Sequence, residues 1–184
     1  MRIKGLGIKG IYEITLSPIV DKRGYFMRTF DNATLAKYNI SGDWLQESQS
    51  RSIKKGIIRG LHFQLPPYTE AKLVRCLRGA IYDVFVDLRK DSNTFARWGS
   101  IVLSENNYKM IYIPRGFAHG FCTLTEVSEV FYKMDNYYNE KAYSGIIWND
   151  PDIGIQWPET NPLVSEKDAQ LQTLDQFRTK YGAI

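Results

Sequence analysis

The stretch KLVRCLRGAIYDVFVDLRK, residues 72–90, alternates its side chains with a period of two, the period of a β-strand. Its second half divides into two faces: Tyr82, Val84, Val86 and Leu88 on one, and Ile81, Asp83, Phe85 and Asp87 on the other. The Arg78-Gly79 step between the two halves marks a turn. The stretch therefore predicts two strands joined by that turn.

Four further short stretches show the same pattern, with Gly, Pro, Asn and Asp between them. They are GSIVLS (99–104), KMIYIP (109–114), GFCTLT (120–125) and EVFYKMD (129–135). Many short strands at regular spacing predict a mainly β protein, built as an antiparallel sandwich or barrel. Because no low-complexity linker or internal repeat divides the chain, residues 1–184 are expected to form one domain.

Helical signals are confined to two places near the ends of the chain. The segment NATLAKYN (32–39) is expected to form a short helix. A C-terminal helix is expected over residues 165–178, because Ser165 and Asp168 make an S-x-x-D capping signature at its start. Apolar residues follow at Leu171, Leu174 and Phe177.

Composition excludes several classes of function. The 24 Lys and Arg against 20 Asp and Glu give a net charge of +4, without a run of five like charges, so a polybasic nucleic-acid-binding arm is not expected. A basic pocket for an anionic small molecule remains possible. No apolar run approaches the roughly 20 residues of a membrane span. Cys76 and Cys122 lack a CxxC pattern and are expected to be reduced thiols in a soluble, cytoplasmic protein.

The chain has only two histidines, His62 in RGLHFQ (59–64) and His119 in PRGFAHGF (114–121). They are packing residues, metal ligands or acid–base groups. PRGFAH resembles the second motif of metal-binding cupins, but a first motif would need a second histidine, where this chain has Gln64. Glu70 could supply a third ligand, although nothing in its spacing requires it. Two imidazoles without an obvious third ligand do not favour a metal site.

Acid–base chemistry has better support from the neighbours of His62. Arg59 precedes it on the same stretch, and Lys72 begins the next predicted strand. A histidine, a lysine and an arginine at neighbouring strand ends can surround a carbonyl and an anion. Histidine is also the usual general base near neutral pH.

Other polar residues keep structural interpretations beside the functional ones. Asp168 could simply cap the C-terminal helix, and Tyr132 could be a packing tyrosine. Arg23 lies at a turn, where a solvated cation is ordinary. Asp83 and Asp87 share one strand face, and an inward pair favours a structural ion network with Lys or Arg.

Seven motifs, taken together and in order over residues 21–168, resemble one enzyme family. They are DKRGYF, RGLHFQ, KLVRC with RGAIYDVFVDLRKDS, PRGFAHGF, YKMDNYY, GIIWNDPDIGIQWP and LVSEKD. The family is that of the dTDP-4-dehydrorhamnose 3,5-epimerases, cupin-fold enzymes of deoxysugar nucleotide biosynthesis. The resemblance implies a β jelly-roll with no metal and no cofactor. It also implies a homodimer that exchanges N-terminal strands, and a nucleoside-diphosphate 4-keto-6-deoxy sugar as substrate.

The resemblance also implies roles for individual residues. His62 matches the general base, Asp168 the acid that orients it, Lys72 the group that stabilises the enolate, and Tyr132 the acid on the opposite face of the sugar. A further set matches substrate-binding positions: Arg23 and Arg59 at the diphosphate, Gln46 as a substrate contact, and His119 near the sugar. Tyr138 is a further expected substrate contact, and Phe26 is expected to stack on the base if Arg28 points away from it.

Two departures from the family pattern concern the substrate. Arg28 stands where the family typically has a glutamate that touches thymine, and a CDP-linked sugar is therefore an alternative to the dTDP-linked one. Ser48 replaces an asparagine of the family's substrate-binding segment, so inversion at C3 or C5 alone is an alternative to inversion at both. The leading hypothesis is a 3,5-epimerase of dTDP-4-dehydro-6-deoxy-D-glucose. The alternative is the same chemistry on a CDP-linked or 3-deoxy 4-keto sugar, at C5 or C3 only. A non-catalytic cupin that binds sugar nucleotides is the alternative from another class.

Overall fold

The alternating stretches fold into two antiparallel sheets, described for residues 1–184 by a computed structural model. The strands are β1 (Arg2–Gly5), β2 (Tyr12–Thr15), β3 (Ile19–Asp21), β4 (Gly24–Phe26), β5 (Gln46–Ser52), β6 (Ile58–Gln64), β7 (Lys72–Arg78), β8 (Ala80–Asp87), β9 (Trp98–Ser104), β10 (Lys109–Ile113), β11 (Phe117–Thr123), β12 (Ser128–Met134) and β13 (Tyr143–Gly145). The helices are α1 (Asn32–Ala36), α2 (Glu166–Ala169) and α3 (Leu174–Tyr181).

Two large sheets and one separate hairpin account for the strands. The six-stranded sheet has the order β1-β2-β10-β7-β12-β5, and the five-stranded sheet the order β13-β6-β11-β8-β9. Strands β3 and β4 pair only with each other. All strand pairs within the sheets are antiparallel, so the predicted mainly β sandwich is confirmed.

The stretch 72–90 forms the two predicted strands, β7 and β8, and the turn between them requires glycine. Gly79 has φ +72°, and a Cβ at this position would collide with the carbonyl group of Val127. The stretch 120–125 was expected as a strand, but β11 begins three residues earlier, at Phe117. His119 is therefore part of a strand and lies at a defined position in its pairing.

The main core lies between the two sheets, because one face of each alternating strand points inward. β8 contributes Ile81 and Phe85 to this core. As the alternation predicts, they share their face of the strand with Asp83. The opposite face of β8 is also covered, because Val84 and Val86 pack against Leu174 and Phe177 of α3. A third apolar cluster lies under α1 on the six-stranded sheet and includes Leu35, Ile40 and Leu73.

The predicted helix over 165–178 is wrong as a single element, because the chain leaves the helical path between α2 and α3. Gln172 pairs with Ile146 in a short parallel bridge, and its side chain donates to the hydroxyl of Ser144 and the carbonyl of Gly145. Thr173 then starts α3 with a capping box to Gln176. This capping box therefore begins a new helix at a place where the continuous apolar spacing had suggested a single long helix. The short helix predicted over 32–39 is confirmed in part, as α1.

No helix has the length and apolar character needed to cross a membrane. The cytoplasmic location expected from the sequence stays a prediction.

Candidate active site

A cavity of about 300 Å³ opens at one end of the space between the two sheets. Six residues singled out in the sequence line it together: Arg59, His62, Lys72, His119, Tyr132 and Asp168. Ser50, Phe121 and Ser165 complete the wall. The same inward strand faces thus supply apolar side chains to the core and polar side chains to the cavity.

The two sheets contribute different groups to the cavity. His62 on β6 and His119 on β11 come from the five-stranded sheet, where they are directly opposite each other in the pairing of those strands. Lys72 on β7 and Tyr132 on β12 come from the six-stranded sheet. His62 and Tyr132 therefore reach the cavity from opposite walls.

Asp168 holds the ring of His62. The distance from His62 Nε2 to Asp168 Oδ1 is 2.7 Å, and the second oxygen of Asp168 accepts from the backbone N–H of Gly60 at 3.1 Å. Ser165 caps α2 by accepting from the backbone N–H of Asp168 at 3.1 Å. Ser165 of the S-x-x-D pattern does cap the helix, but the side chain of Asp168 bonds His62. The interpretation of Asp168 as only a helix cap is therefore wrong.

Electrostatics make His62 a free base and Asp168 its ionised partner. Burial lowers the pKa of His62, and the hydrogen bond and charge of Asp168 oppose that shift only in part. Burial alone would raise the pKa of Asp168, but the hydrogen bonds from His62 and Gly60 outweigh it and lower that pKa. An ionised Asp168 accepts a hydrogen bond from Nε2–H of His62, so the unprotonated Nδ1 is the basic nitrogen of the neutral ring.

His119 has its own carboxylate. Its Nε2 lies 2.8 Å from Oδ2 of Asp83, which is completely buried on β8. The other oxygen of Asp83 has no hydrogen-bond partner, and burial raises the pKa of this carboxyl group. The ion network expected with Lys or Arg is wrong for Asp83, and it is right for Asp87, which bonds Arg89 at 2.9 and 2.7 Å.

Tyr132 is a buried phenol with one polar partner. Its hydroxyl oxygen lies 2.9 Å from Oγ of Ser50 on the neighbouring strand β5. Burial raises the pKa of Tyr132 well above its usual value, against the effect of the Ser50 hydrogen bond. The hydroxyl therefore keeps its proton over the whole physiological pH range and is available as a proton donor.

Lys72 and Arg59 are the two cations of the cavity wall. The ammonium of Lys72 lies 3.1 Å from a carboxylate oxygen of Glu70, and both side chains are nearly covered. Arg59 donates from Nε to Ser52 Oγ and from Nη2 to the carbonyl of Arg51, each at 3.3 Å. Its remaining N–H groups are available for an anion.

Three further predicted substrate-binding residues lie close to the cavity wall without lining it. Gln46 and Ser48 share the face of β5 that carries Ser50, and Ser48 is directly opposite Tyr132 in the pairing. Gln46 Oε1 accepts from the backbone N–H of Tyr138 at 2.6 Å. The ring of Tyr138 is largely exposed, 6.0 Å from that of Tyr143.

The remaining three predicted residues, Arg23, Phe26 and Arg28, are not part of this cavity wall. Arg23 forms an exposed ion pair with Asp21 at the tip of the β3–β4 hairpin. The ring of Phe26 is 65% exposed on the same hairpin. Arg28 follows β4 and lies 3.9 Å from Asp31, the residue that caps α1. In this chain the hairpin and the cavity are thus separate features.

Sequence reasoning missed several neighbours of the predicted residues. Ser50 has the same period-two position as Gln46 and Ser48, so the alternation of β5 could have identified it. The ring of Tyr143 lies 5.3 Å from that of His62, and the ammonium of Lys167 lies 4.0 Å from the centre of the Tyr143 ring. Only the tertiary fold reveals Tyr143 as a neighbour of His62.

The capacity of the site for a metal follows from its donors. No group of three or more His, Cys, Asp or Glu side chains is arranged to hold a metal ion. Gln64, at the position of the missing second histidine, uses its side-chain N–H groups to donate to the carbonyls of Tyr68 and Tyr137 and to Glu70. Its carbonyl oxygen accepts from the backbone N–H of Asn139 at 2.7 Å. Gln64 therefore holds backbone segments in place.

Comparison with known proteins identifies the family of this chain. The sequence model of the family described as dTDP-4-dehydrorhamnose 3,5-epimerase matches residues 5–176. The dTDP-4-dehydrorhamnose 3,5-epimerase of Shigella flexneri is 45% identical over 149 residues, which cover 80% of this chain and 82% of that protein.

Solved structures show the same likeness in three dimensions. The dTDP-4-dehydrorhamnose 3,5-epimerase of Bacillus anthracis, crystallised with TDP and PPi bound, has a TM-score of 0.92 at 40% identity, over 94% of this chain and 99% of that one. NovW, a 4-keto-6-deoxy sugar epimerase from the novobiocin gene cluster of Streptomyces spheroides, has a TM-score of 0.92 at 33% identity, over 97% and 90%. The expected cupin-type jelly-roll is confirmed, and the chain belongs to the dTDP-4-dehydrorhamnose 3,5-epimerase family.

Proposed function

We propose that this protein is a cofactor-independent 3,5-epimerase of dTDP-4-dehydro-6-deoxy-D-glucose. The observation that carries the proposal is the placement of a neutral imidazole and a protonated phenol on opposite walls of one cavity. His62 comes from the five-stranded sheet and Tyr132 from the six-stranded sheet, and Lys72 lines the same cavity. Family membership supports the same reaction.

The first half of the reaction is removal of a proton next to a ketone. The C4 carbonyl acidifies the hydrogens on C3 and C5, and Nδ1 of His62 takes one of them. The electrons of the broken C–H bond form a C=C bond, and those of the carbonyl move to its oxygen as an enolate. The Lys72 ammonium stabilises this negative oxygen, which is where charge develops in the transition state. Asp168 stabilises the imidazolium that forms on His62.

The second half returns a proton to the same carbon from the other face. The Tyr132 hydroxyl donates it, the enolate electrons form the new C–H bond, and the carbonyl is restored. The phenolate regains a proton from solvent as His62 releases one, so nothing is gained or lost overall. Because C3 and C5 are both adjacent to C4, the same pair of residues acts at both carbons.

The nucleotide half of the substrate is bound by arginines. Arg59 in the cavity wall contacts the diphosphate by bidentate hydrogen bonding. Gln46, His119 and Tyr138 contact the sugar region. Arg23 contacts the diphosphate from the β3–β4 hairpin.

The separate position of the hairpin supports a homodimer that exchanges N-terminal strands. The hairpin pairs only with itself and leaves the side chains of Ile19, Val20 and Phe26 largely exposed. In the proposed dimer these apolar side chains are covered, and Arg23 and Phe26 complete the cavity of the second copy, with Phe26 stacked on the base. Mixing Arg23→Ala and His62→Ala proteins tests this arrangement. Activity returns in mixed dimers if the hairpin acts across the interface, and stays absent if each copy uses its own.

Solvent exchange tests the proposed reaction directly. The protein is incubated with dTDP-4-dehydro-6-deoxy-D-glucose in deuterated water, and the positions of deuterium are read by NMR. Deuterium at both C3 and C5 is the expected result. Exchange at one carbon only would indicate a mono-epimerase, the alternative suggested by Ser48 in place of asparagine. No exchange at either carbon, with dTDP bound, would leave a sugar-nucleotide-binding cupin without catalysis.

A further inference from the structure

Glu70 forms an ion pair with Lys72 that the reaction described above does not use. The ammonium of Lys72 lies 3.1 Å from Oε1 of Glu70, and their side chains are 13% and 12% exposed. Glu70 lies in the loop between β6 and β7, two residues before the strand that begins with Lys72. A carboxylate this well covered is unusual for a loop and requires partners for its charge.

The two oxygens of Glu70 have different partners. Oε1 faces Lys72, while Oε2 accepts from the side-chain N–H of Gln64 at 3.2 Å. Gln64 is only 2% exposed, and its side chain is fixed by three backbone groups, the carbonyls of Tyr68 and Tyr137 and the N–H of Asn139. The carboxylate is therefore held in one orientation by a rigid amide and presents its other oxygen to the lysine.

The charges that face Lys72 explain why such a partner is needed. The positive charge of Lys72 acts on two groups of the five-stranded sheet, His62 on β6 and Asp83 on β8, and lowers the pKa of each. The same cavity is lined by Arg59, His119, Tyr132 and Asp168. Asp168 is committed to His62, and Asp83 to His119. Glu70 is the carboxylate that forms an ion pair with Lys72.

We propose that Glu70 is a positioning residue of the epimerase: its carboxylate, oriented by Gln64, holds the Lys72 ammonium in place to meet the enolate oxygen. The inference rests on the proposed function, in which Lys72 stabilises the enolate. A preorganised cation stabilises developing charge without moving during the reaction, and its effect falls steeply if it is displaced.

The direct test is Glu70→Gln, which keeps the size of the side chain and removes its charge. The expected result is a fall in kcat on the order of 10- to 100-fold with little change in KM, because the lost interaction acts mainly in the transition state. Glu70→Asp keeps the charge and should restore part of the lost kcat.

A matched control separates catalysis from folding. Glu13 pairs with Lys109 at 2.9 Å and is 13% exposed, yet both residues lie on β2 and β10, outside the cavity wall. Glu13→Gln should leave kcat unchanged. Thermal melting of both variants shows how much each loses in stability. A fall in kcat of equal size in the two variants would overturn the proposal, because it would trace the loss to a buried ion pair in general.

A double-mutant cycle tests whether Glu70 acts through Lys72. In the Lys72→Met background, Glu70→Gln should have no further effect on deuterium exchange. An undiminished effect there would overturn the proposal, as would a wild-type kcat in Glu70→Gln itself. The wild-type protein separates failure of the proposed function from failure of the role of Glu70. If the wild type shows no deuterium exchange, the proposed function fails. If the wild type exchanges normally and the Glu70 variants are unaffected, only the role of Glu70 fails.

Discussion

His62 and His119 are directly opposite each other in the pairing of β6 and β11, and each ring bonds a different carboxylate through Nε2. The carboxylates differ. Asp168 has partners on both oxygens and a lowered pKa, whereas Asp83 is fully buried, has one oxygen without a partner and a raised pKa. An ionised partner stabilises an imidazolium better than a carboxyl that tends to hold its own proton. This difference supports His62, and not His119, as the general base of the proposed reaction.

His62→Ala should abolish deuterium exchange at both C3 and C5, because one base serves both carbons. General acid–base catalysis contributes about 10²- to 10⁴-fold, so turnover should fall by at least that factor. Binding of dTDP, measured by calorimetry, should stay close to that of the wild type, since the arginines that bind the diphosphate are unchanged. Full turnover in this variant would show that another group removes the proton.

Asp168→Asn should retain the fold and lose most of the activity. The amide no longer stabilises the imidazolium, so we expect kcat to fall on the order of 10²- to 10⁴-fold. Asp168 opposes the lowering of the His62 pKa, so in the variant that pKa falls further and the acid limb of the remaining activity moves to lower pH. Asp175→Asn, an exposed change on α3, is the control and should leave the profile unchanged. An unmoved acid limb would argue against the pairing.

Tyr132→Phe should separate proton removal from inversion. His62 remains, so deuterium should still enter the substrate from the face of the base, while delivery to the opposite face fails. The measurement is NMR of the recovered sugar, which distinguishes exchange with retention from exchange with inversion. Because burial raises the pKa of Tyr132 above its usual value of 10.0, loss of its proton should not limit the wild-type rate below pH 10. Normal inversion by the variant would assign the acid to another group.

The sheets were predictable from the sequence because a strand buried on one face must alternate its side chains. The stretch 72–90 carries that alternation on both sides of the Arg78-Gly79 turn, and its two predicted strands are present. The C-terminal helix was harder, because its apolar spacing continues across the break between α2 and α3. The break depends on pairing of Gln172 with Ile146, a contact 26 residues distant along the chain that no local pattern contains.

The site shows the same division between local and long-range information. Spacing alone left His62 as a packing residue, a metal ligand or a base, since its partner Asp168 lies 106 residues away in the chain. From the sequence, only the resemblance to a family relates His62 to Asp168. Asp83 was assigned to an ion network because a sequence does not show which residue of a neighbouring strand is close, and that residue is His119.

Asp87 should stabilise the fold in a pH-dependent way. Its carboxylate, covered in the structure, accepts from Arg89, Ser92 and Thr94. Burial alone would raise its pKa, but these hydrogen bonds outweigh it and lower the pKa from 3.8 to about 2. A lowered carboxyl pKa stabilises the folded state above the unfolded pKa by about 2 kcal/mol. That contribution is lost as pH falls from about 4 towards 2.

Denaturant unfolding at several pH values checks this contribution. Asp87→Asn should lower the free energy of unfolding at pH 7, and its difference from the wild type should shrink as the pH approaches 2. Asp21→Asn is a matched control, because Asp21 also pairs with the arginine two residues later but lies on the exposed β3–β4 hairpin. Solvent screens such a pair, so this variant should show little change. A pH-independent loss in Asp87→Asn would mean that packing, and not charge, is what the carboxylate supplies.

Arg28 is the residue that bears on which nucleotide the protein prefers. In this chain its guanidinium is 67% exposed and lies 3.9 Å from Asp31, so its charge already has a neighbour outside the cavity. We therefore expect the base to be recognised by stacking on Phe26, and dTDP to bind more tightly than CDP, UDP or GDP in a calorimetric panel. Arg28→Ala should change the affinity for dTDP by less than about threefold, an effect below 1 kcal/mol. Tighter binding of CDP by the wild type, lost in Arg28→Ala, would instead identify Arg28 as the residue that reads cytosine through its N3 acceptor.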